Sequence, residues 1–456
     1  MDNEKTGMKN GSRVPPRILS SLIMSLSAGV VPRSGAPYIA IGRKDETEAL
    51  LSDLEETSRG GGCMRFLIGR YGSGKSFLMQ LIRGYALDKG FVTSDVDLSP
   101  ERRLYGGSGA GRSTYRELMK NLATKASPDG GALTMMIARW IGQCQAECYA
   151  QGLSEEAMTR EVGTRLLSVL KEMELYVGGF DFARVITLYY EAYCRDDQEK
   201  QSAALRWLRG EYTSKTEARQ ELGMHVSVII DDDNWYDFVK LWAALSQRIG
   251  YHGMVVFIDE CVNLYKIVNR VSRENNYEKI LSMFNDILQG RAPGLDIVFG
   301  GTPSFLEDTR RGLFSYEALR SRLCDSRFYS SEFKNMHGPV IRLLRLTDEE
   351  LYALIVRVTA LHEQHYGKKS RLSEEDMLSF LKICLNKAGA DSRITPREII
   401  RDYMMVLDVL MQNENMSFES LLEKVDLKPK EEASEEASGP SAVPDKKRVS
   451  IDDLIL

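Results

Sequence analysis

Gly69-Arg70-Tyr71-Gly72-Ser73-Gly74-Lys75-Ser76 fits the spacing G-x-x-x-x-G-K-[ST]. Glycines at those positions let backbone N–H groups curl around an anion without a Cβ clash. Lys75 would reach the β- and γ-phosphates of a bound nucleotide, and Ser76 would hold Mg²⁺. The helix expected to start here, with Phe77 on its apolar side, adds unpaired N–H groups and its positive dipole end. A second chemical pattern lies far along the chain, where Met254-Val255-Val256-Phe257-Ile258 runs into Asp259-Glu260. An acid pair at the end of a buried strand suits nucleotide hydrolysis: Asp259 orients Mg²⁺ through water and Glu260 polarises the attacking water. Together the two patterns predict ATP and Mg²⁺ as ligands.

These residues need strands and helices to hold them. Met64 to Ile68 reads as the strand before the loop, and Leu78, Leu81, Ile82 and Tyr85 follow at helical spacing. A second strand is expected at Phe91–Leu98, a further one at Ile297–Thr302, and a fifth at Val340–Leu343. The predicted fold is α/β, a P-loop NTPase with a parallel sheet, a large helical insertion and a C-terminal helical lid. Its expected parts are a lead-in over 1–62, core over 63–98 and 251–345, the insertion over 99–250, a lid over 346–424 and a disordered tail over 425–456. Within the insertion, segments around 113–126, 132–150, 155–175, 180–194, 198–209 and 235–249 carry helical apolar spacing. Val228-Ile229-Ile230-Asp231-Asp232 rivals Asp259-Glu260 as the acid-ended strand. No strand follows it at the length of one βα unit, so its acids are expected to cap the helix starting near Trp235.

Composition sets the bounds. The 456 residues are 43% hydrophobic and 27% charged with net charge −5, as for a globular protein of two or three units with no overall attraction for nucleic acid. A local basic groove stays open. No apolar run approaches the roughly 20 residues that span a bilayer. The stretch Ile18–Val31 is broken by serines and a glycine and has no clear cleavage site, which argues against a signal peptide. Seven scattered cysteines without a C-x-x-C pair point to a reducing cytoplasm. Cys144 and Cys148 stand one turn apart without further ligands, and His362 and His365 fit a solvated helix face better than a metal site.

The order of parts resembles the Orc/Cdc6 and STAND branch of AAA+ ATPases over roughly residues 36–98 and 250–412. That resemblance implies further roles. Gly42-Arg43 with Glu46 would close over the adenine, although the same residues also read as a plain acid-rich helix start. Thr302 would be a sensor of the γ-phosphate, or else a turn residue before Pro303. One of Arg320 and Arg322 would reach a neighbouring subunit's nucleotide, or both are surface arginines. Arg397, in the first turn after Thr395-Pro396, would be the second sensor, or a surface arginine of a well-capped helix. More narrowly, Ile41-Gly42-Arg43, Arg65 to Phe77, Gly250-Tyr251-His252-Gly253 and Arg311 to Leu319 resemble the ATP-binding proteins of BREX-type phage-defence clusters.

The family implies a cytoplasmic ATPase, a homo-oligomer or partner-bound, working beside helicases, methylases or other defence proteins, with DNA as a candidate effector and no membrane. Orc/Cdc6 proteins carry a winged-helix domain after the lid. Here the expected tail is too short for one, so DNA contact would fall to the insertion or to an assembled groove. Two rivals to a molecular switch are an adaptor that holds nucleotide with little turnover and a DNA loader. The tail's end, Ile451-Asp452-Asp453-Leu454-Ile455-Leu456, would be a docking peptide or a frayed terminus. Asn386-Lys387-Ala388-Gly389 lacks the aspartate of the guanine-reading N-K-x-D motif, which argues against GTP.

Overall fold

The computed structural model describes residues 13–324, 336–386 and 394–424. The chain opens with α1 (Pro16–Ser27) and α2 (Lys44–Ser58), then β1 (Cys63–Ile68), α3 (Lys75–Asp88) and β2 (Val92–Asp97). A long helical stretch follows: α4 (Ala110–Lys120), α5 (Ala132–Ala150), α6 (Glu155–Met173), α7 (Gly179–Cys194), α8 (Gln198–Leu208), α9 (Lys215–Leu222) and α10 (Trp235–Arg248). The chain then re-enters the sheet through β3 (Met254–Asp259), α11 (Val262–Tyr265), α12 (Arg270–Leu288), β4 (Leu295–Gly301), α13 (Pro303–Glu307), α14 (Glu317–Leu323) and β5 (Val340–Arg342). Helices α15 (Asp348–Tyr366), α16 (Glu374–Asn386), α17 (Pro396–Gln412) and α18 (Phe418–Lys424) complete it. Contacts divide the chain into two compact units, Arg43–Leu344 and a second made of Met1–Gly42 with Arg345–Leu456.

In the larger unit the strands form one five-stranded sheet in the order β2-β3-β4-β1-β5. Every neighbouring pair is parallel. Parallel strands need crossover helices, and these cover both faces, so β3 and β4 are buried at every position. This is the P-loop NTPase-like α/β fold expected from the motifs. β4 lies between the strand leading into the loop and the strand ending in Asp259. The loop after β1, Asp97, Asp259 and Thr302 therefore all gather at the carboxyl edge of the sheet, where open α/β sheets bind ligands.

The helical stretch does not stand apart from this sheet. One apolar core runs from Met64 in β1 through Tyr115, Trp207 and Trp242 to Val340 in β5. Polar anchors fix the packing: Ser94 Oγ in β2 donates to Leu118 O of α4 at 2.6 Å. Tyr115 Oη donates to Leu208 O at 2.8 Å and accepts from Trp242 Nε1 at 3.0 Å, so a fully buried hydroxyl is satisfied on both sides. Periodicity anticipated every helix here except α9, whose 8 residues give too short a window, between a Ser214 cap and Gly223.

Val228 to Asp231 is loop rather than strand. Its acids differ from expectation as well. α10 starts behind Asn234 with no side-chain cap. Asp231 Oδ1 accepts from the N–H groups of Asp233 and Asn234 at 3.0 and 3.1 Å, shaping the preceding turn. Asp232 instead serves α4, accepting from Gly109 N and Arg112 N at 2.9 Å each. A carboxylate prefers exposed N–H groups wherever the fold brings them, and here those of α4 are nearer.

In the second unit, α1 buries Leu19, Leu22, Ile23 and Leu26 against α15 and α17. The serines that interrupted its apolar run fall largely on the outer side of an amphipathic helix. Both expected capping boxes form, Thr347 with Glu350 on α15 and Thr395 with Glu398 on α17. His362 overturns its expected place on a solvated face: it is 3% exposed and bonded to Asp408 Oδ1 at 3.1 Å. Cys144 and Cys148 are both buried in α5. Residues 387–389 and 425–456, which carry most of the guanine-type string and the proposed docking tail, lie outside the described residues.

Candidate functional site

β1 ends at Ile68, and Gly69 N–H donates to Gly301 O at 3.1 Å, pinning the start of the loop to β4. Gly72 and Gly74 take φ of 77° and 89°, a left-handed conformation that a side chain would strain. Arg70 and Tyr71 form the exposed tip, with Tyr71 77% exposed. Ser73 is buried and Phe77 half-buried on the first turn of α3. Lys75 Nζ folds back to donate to Gly69 O at 3.0 Å and Arg70 O at 3.2 Å. Burial lowers the pKa of its ammonium, while Asp259 and Glu260 pull the other way.

Opposite the loop, Ser76 Oγ donates to Asp259 Oδ2 at 2.7 Å. Asp259 Oδ1 accepts from the Glu260 N–H at 2.8 Å. That carboxylate leans over β4: a Cβ on Gly300 would stand 2.3 Å from Asp259 Oδ1, so only glycine leaves it room. Glu260 has φ of 56°, a left-handed backbone rare for a residue with a side chain and of the kind that concentrates at functional sites. Partial burial raises the pKa of its carboxyl, and Asp259 and Asp97 add to the rise. No hydrogen bond or ion pair engages the Glu260 side chain among the described residues.

Asp97 was not visible as a site residue in the sequence. Register pairs Asp97 with Asp259 across β2 and β3. Two positions earlier, Asp95 reaches Arg83 of α3 at 3.3 Å. Side chains two apart share a face, so Asp97 lies on the α3 face, as Asp259 does. Among the described residues its carboxylate has no hydrogen bond or ion pair either. Burial and Asp259 raise its pKa. A strand-ending acid carries no local signal of its neighbour, and only the register gives it away.

The other expected residues are placed as follows. Thr302 caps α13, its hydroxyl accepting from Phe305 N–H at 3.3 Å. On α14, Arg320 and Arg322 are exposed and have only local partners among the described residues. Arg320 lies 3.8 Å from Glu317, and Arg322 Nη1 donates to Ala318 O at 2.7 Å. Arg311, by contrast, is held against the Tyr265 ring at 5.3 Å. Gly42 and Arg397 belong to the second unit, Gly42 beside the Glu350 carboxylate and Arg397 in the first turn of α17. Arg43 is buried, with its guanidinium against Ser73 O at 2.9 Å rather than open to a base.

This arrangement fits a nucleotide with a hard divalent cation. Ser76 and Asp259 offer hydroxyl and carboxylate oxygens, the donors that Mg²⁺ prefers. The space at the Gly74 Cβ position is open. A family model described as BREX system ATP-binding protein BrxC/D matches residues 14–426. The chain belongs to this family. No curated protein matches it. Membership gives the chain an ATP-binding role in a BREX defence system, with other components of that system as partners. Among the described residues, no helix is long and apolar enough to cross a membrane.

Proposed function

We propose that this BREX family member is an ATP-hydrolysing, AAA+-like molecular switch that acts on DNA or on a partner that does. The observation that carries this reading is the Ser76–Asp259 contact of 2.7 Å with Glu260 directly after it. One pair would hold Mg²⁺ and the next residue would face the reacting water. Bound Mg²⁺ would supply charge stabilisation at the phosphates. The Gly72 and Gly74 N–H groups bind the phosphates, and Lys75 exchanges its loop carbonyls for phosphate oxygens. Glu260 orients the water as general base, and Asp97 stands as a further carboxylate beside Asp259. Thr302 and Arg397 act as sensors of the γ-phosphate. Arg320 or Arg322 reaches the nucleotide of a neighbouring copy.

The test is phosphate release from ATP, with and without duplex DNA, by the wild type and by Glu260→Gln. DNA stimulation that vanishes in the variant supports a DNA-responsive switch. Slow turnover indifferent to DNA moves the reading to an adaptor that holds nucleotide. Equal hydrolysis by Glu260→Gln and wild type rejects Glu260 as the base.

A further inference from the structure

Arg43 is 7% exposed, and two of its partners, Ser73 and Glu46, are buried with it. Nη2 donates to Ser73 O at 2.9 Å and to Leu344 O at 2.5 Å. Nη1 faces Glu46 Oε1 at 3.4 Å, and Glu46 is itself buried. The guanidinium thus reaches two backbone carbonyls and the Glu46 carboxylate at once. Its rigid planar fork fixes the directions of those three contacts, which a rotatable ammonium on a flexible stem does not. Ser73 O belongs to the peptide joining Ser73 to Gly74. In a trans peptide the C=O and N–H point to opposite sides. Drawing Ser73 O toward Arg43 therefore turns the Gly74 N–H away from it, and that N–H donates to no group among the described residues. The same guanidinium grips Leu344, where the chain leaves the larger unit, and Arg43 itself is where the chain enters it.

We propose that Arg43 is a positioning residue for phosphate rather than an adenine contact. It fixes the Ser73–Gly74 peptide so that the Gly74 N–H faces the anion, and through Leu344 O it ties the loop's orientation to both points where the chain passes between units. The inference rests on the P-loop reading of ATP binding, so the two need separate outcomes.

The experiment uses the full chain and a fluorescent ATP analogue, competed with ATP and with inorganic tripolyphosphate, which has no base. Apo melting is followed in parallel. Arg43→Lys is expected to melt near the wild type and to weaken ATP and tripolyphosphate by the same factor, about tenfold or more. Weakened ATP with unchanged tripolyphosphate makes Arg43 an adenine contact and overturns the proposal, as does unchanged binding of both. If Arg43→Lys does not fold, Glu46→Gln carries the test. Loosening the guanidinium should weaken both ligands equally by a smaller factor, and unchanged binding overturns the proposal. Wild type that binds no ATP, or Lys75→Ala that binds it normally, removes the P-loop reading and this inference with it.

Discussion

The Ser76 hydroxyl donates to Asp259 Oδ2 at 2.7 Å, joining the first turn of α3 to the end of β3. The two residues are 183 positions apart, and β4 separates their strands in the sheet. Their contact depends on the strand order, which sets the loop after β1 level with the carboxyl end of β3. It also depends on Gly300, because a side chain there would collide with the Asp259 carboxylate. The geometry brings a hydroxyl and a carboxylate to one spot.

Asp259→Asn separates cation binding from nucleotide binding. The amide keeps the shape and can still accept from Ser76, but it removes the negative charge that a divalent cation needs. Calorimetric titration with ATP should show little change without Mg²⁺ and a loss of most of the affinity that Mg²⁺ adds in the wild type. An undiminished Mg²⁺ dependence would show that Asp259 does not serve the cation.

Glu260→Gln tests the next residue. Glu260 follows Asp259 with a left-handed backbone, and its side chain has no hydrogen bond or ion pair among the described residues. The amide cannot take a proton. Turnover should fall about 10²–10⁴-fold while ATP binding stays within a few-fold of wild type. A joint loss of binding and turnover would instead place Glu260 in binding.

The glycine loop and the acid pair were legible because each is a contiguous string whose meaning is local. The helices of 99–250 were legible for the same reason, through their periodicity. What escaped depends on partners distant in sequence. Asp97 comes beside Asp259 only through the β2–β3 register, which no local residue encodes. Arg43 read either as an adenine contact or as part of a plain helix start, and its contacts with Ser73 and Leu344, 30 and 301 positions away, were out of sight. Asp232 left α10 for α4 across 123 positions. His362 showed only its own helix in the sequence, whereas its burial comes from α17, which carries Asp408.

Asp296 makes a prediction about stability. It sits in β4 with 1% exposure, and its Oδ1 has no hydrogen-bond partner. Burial pushes its pKa well above the ordinary carboxylate range, with Asp53 adding and Arg65 opposing. A carboxyl whose pKa is higher folded than unfolded contributes stability below the unfolded value of about 3.9, and that contribution is lost as pH rises towards the folded value. The amide of an Asp296→Asn variant has no proton to lose over this range. Melting curves should therefore place Asp296→Asn above the wild type by a margin that widens from pH 5 to pH 8, reaching at least about 2–4 °C. A margin that stays flat with pH would mean that Asp296 is already charged in the fold.

Arg320 and Arg322 test whether a site is completed by a second copy. Both are exposed on α14, and their partners among the described residues are on that helix alone. An arginine that acts on its own subunit's nucleotide and one that acts on a neighbour's give the same loss in a pure variant. Mixtures distinguish them. If one of the two acts in trans, its alanine variant should bind ATP normally and lose about 10³-fold or more in turnover. Lys75→Ala should lack turnover for the opposite reason, having the arginine but no competent loop. Mixing the two variants should then restore activity, because the intact loop of one meets the intact arginine of the other. Titrating the ratio should give a maximum between the pure proteins, and activity that never rises above either one rejects a role in trans.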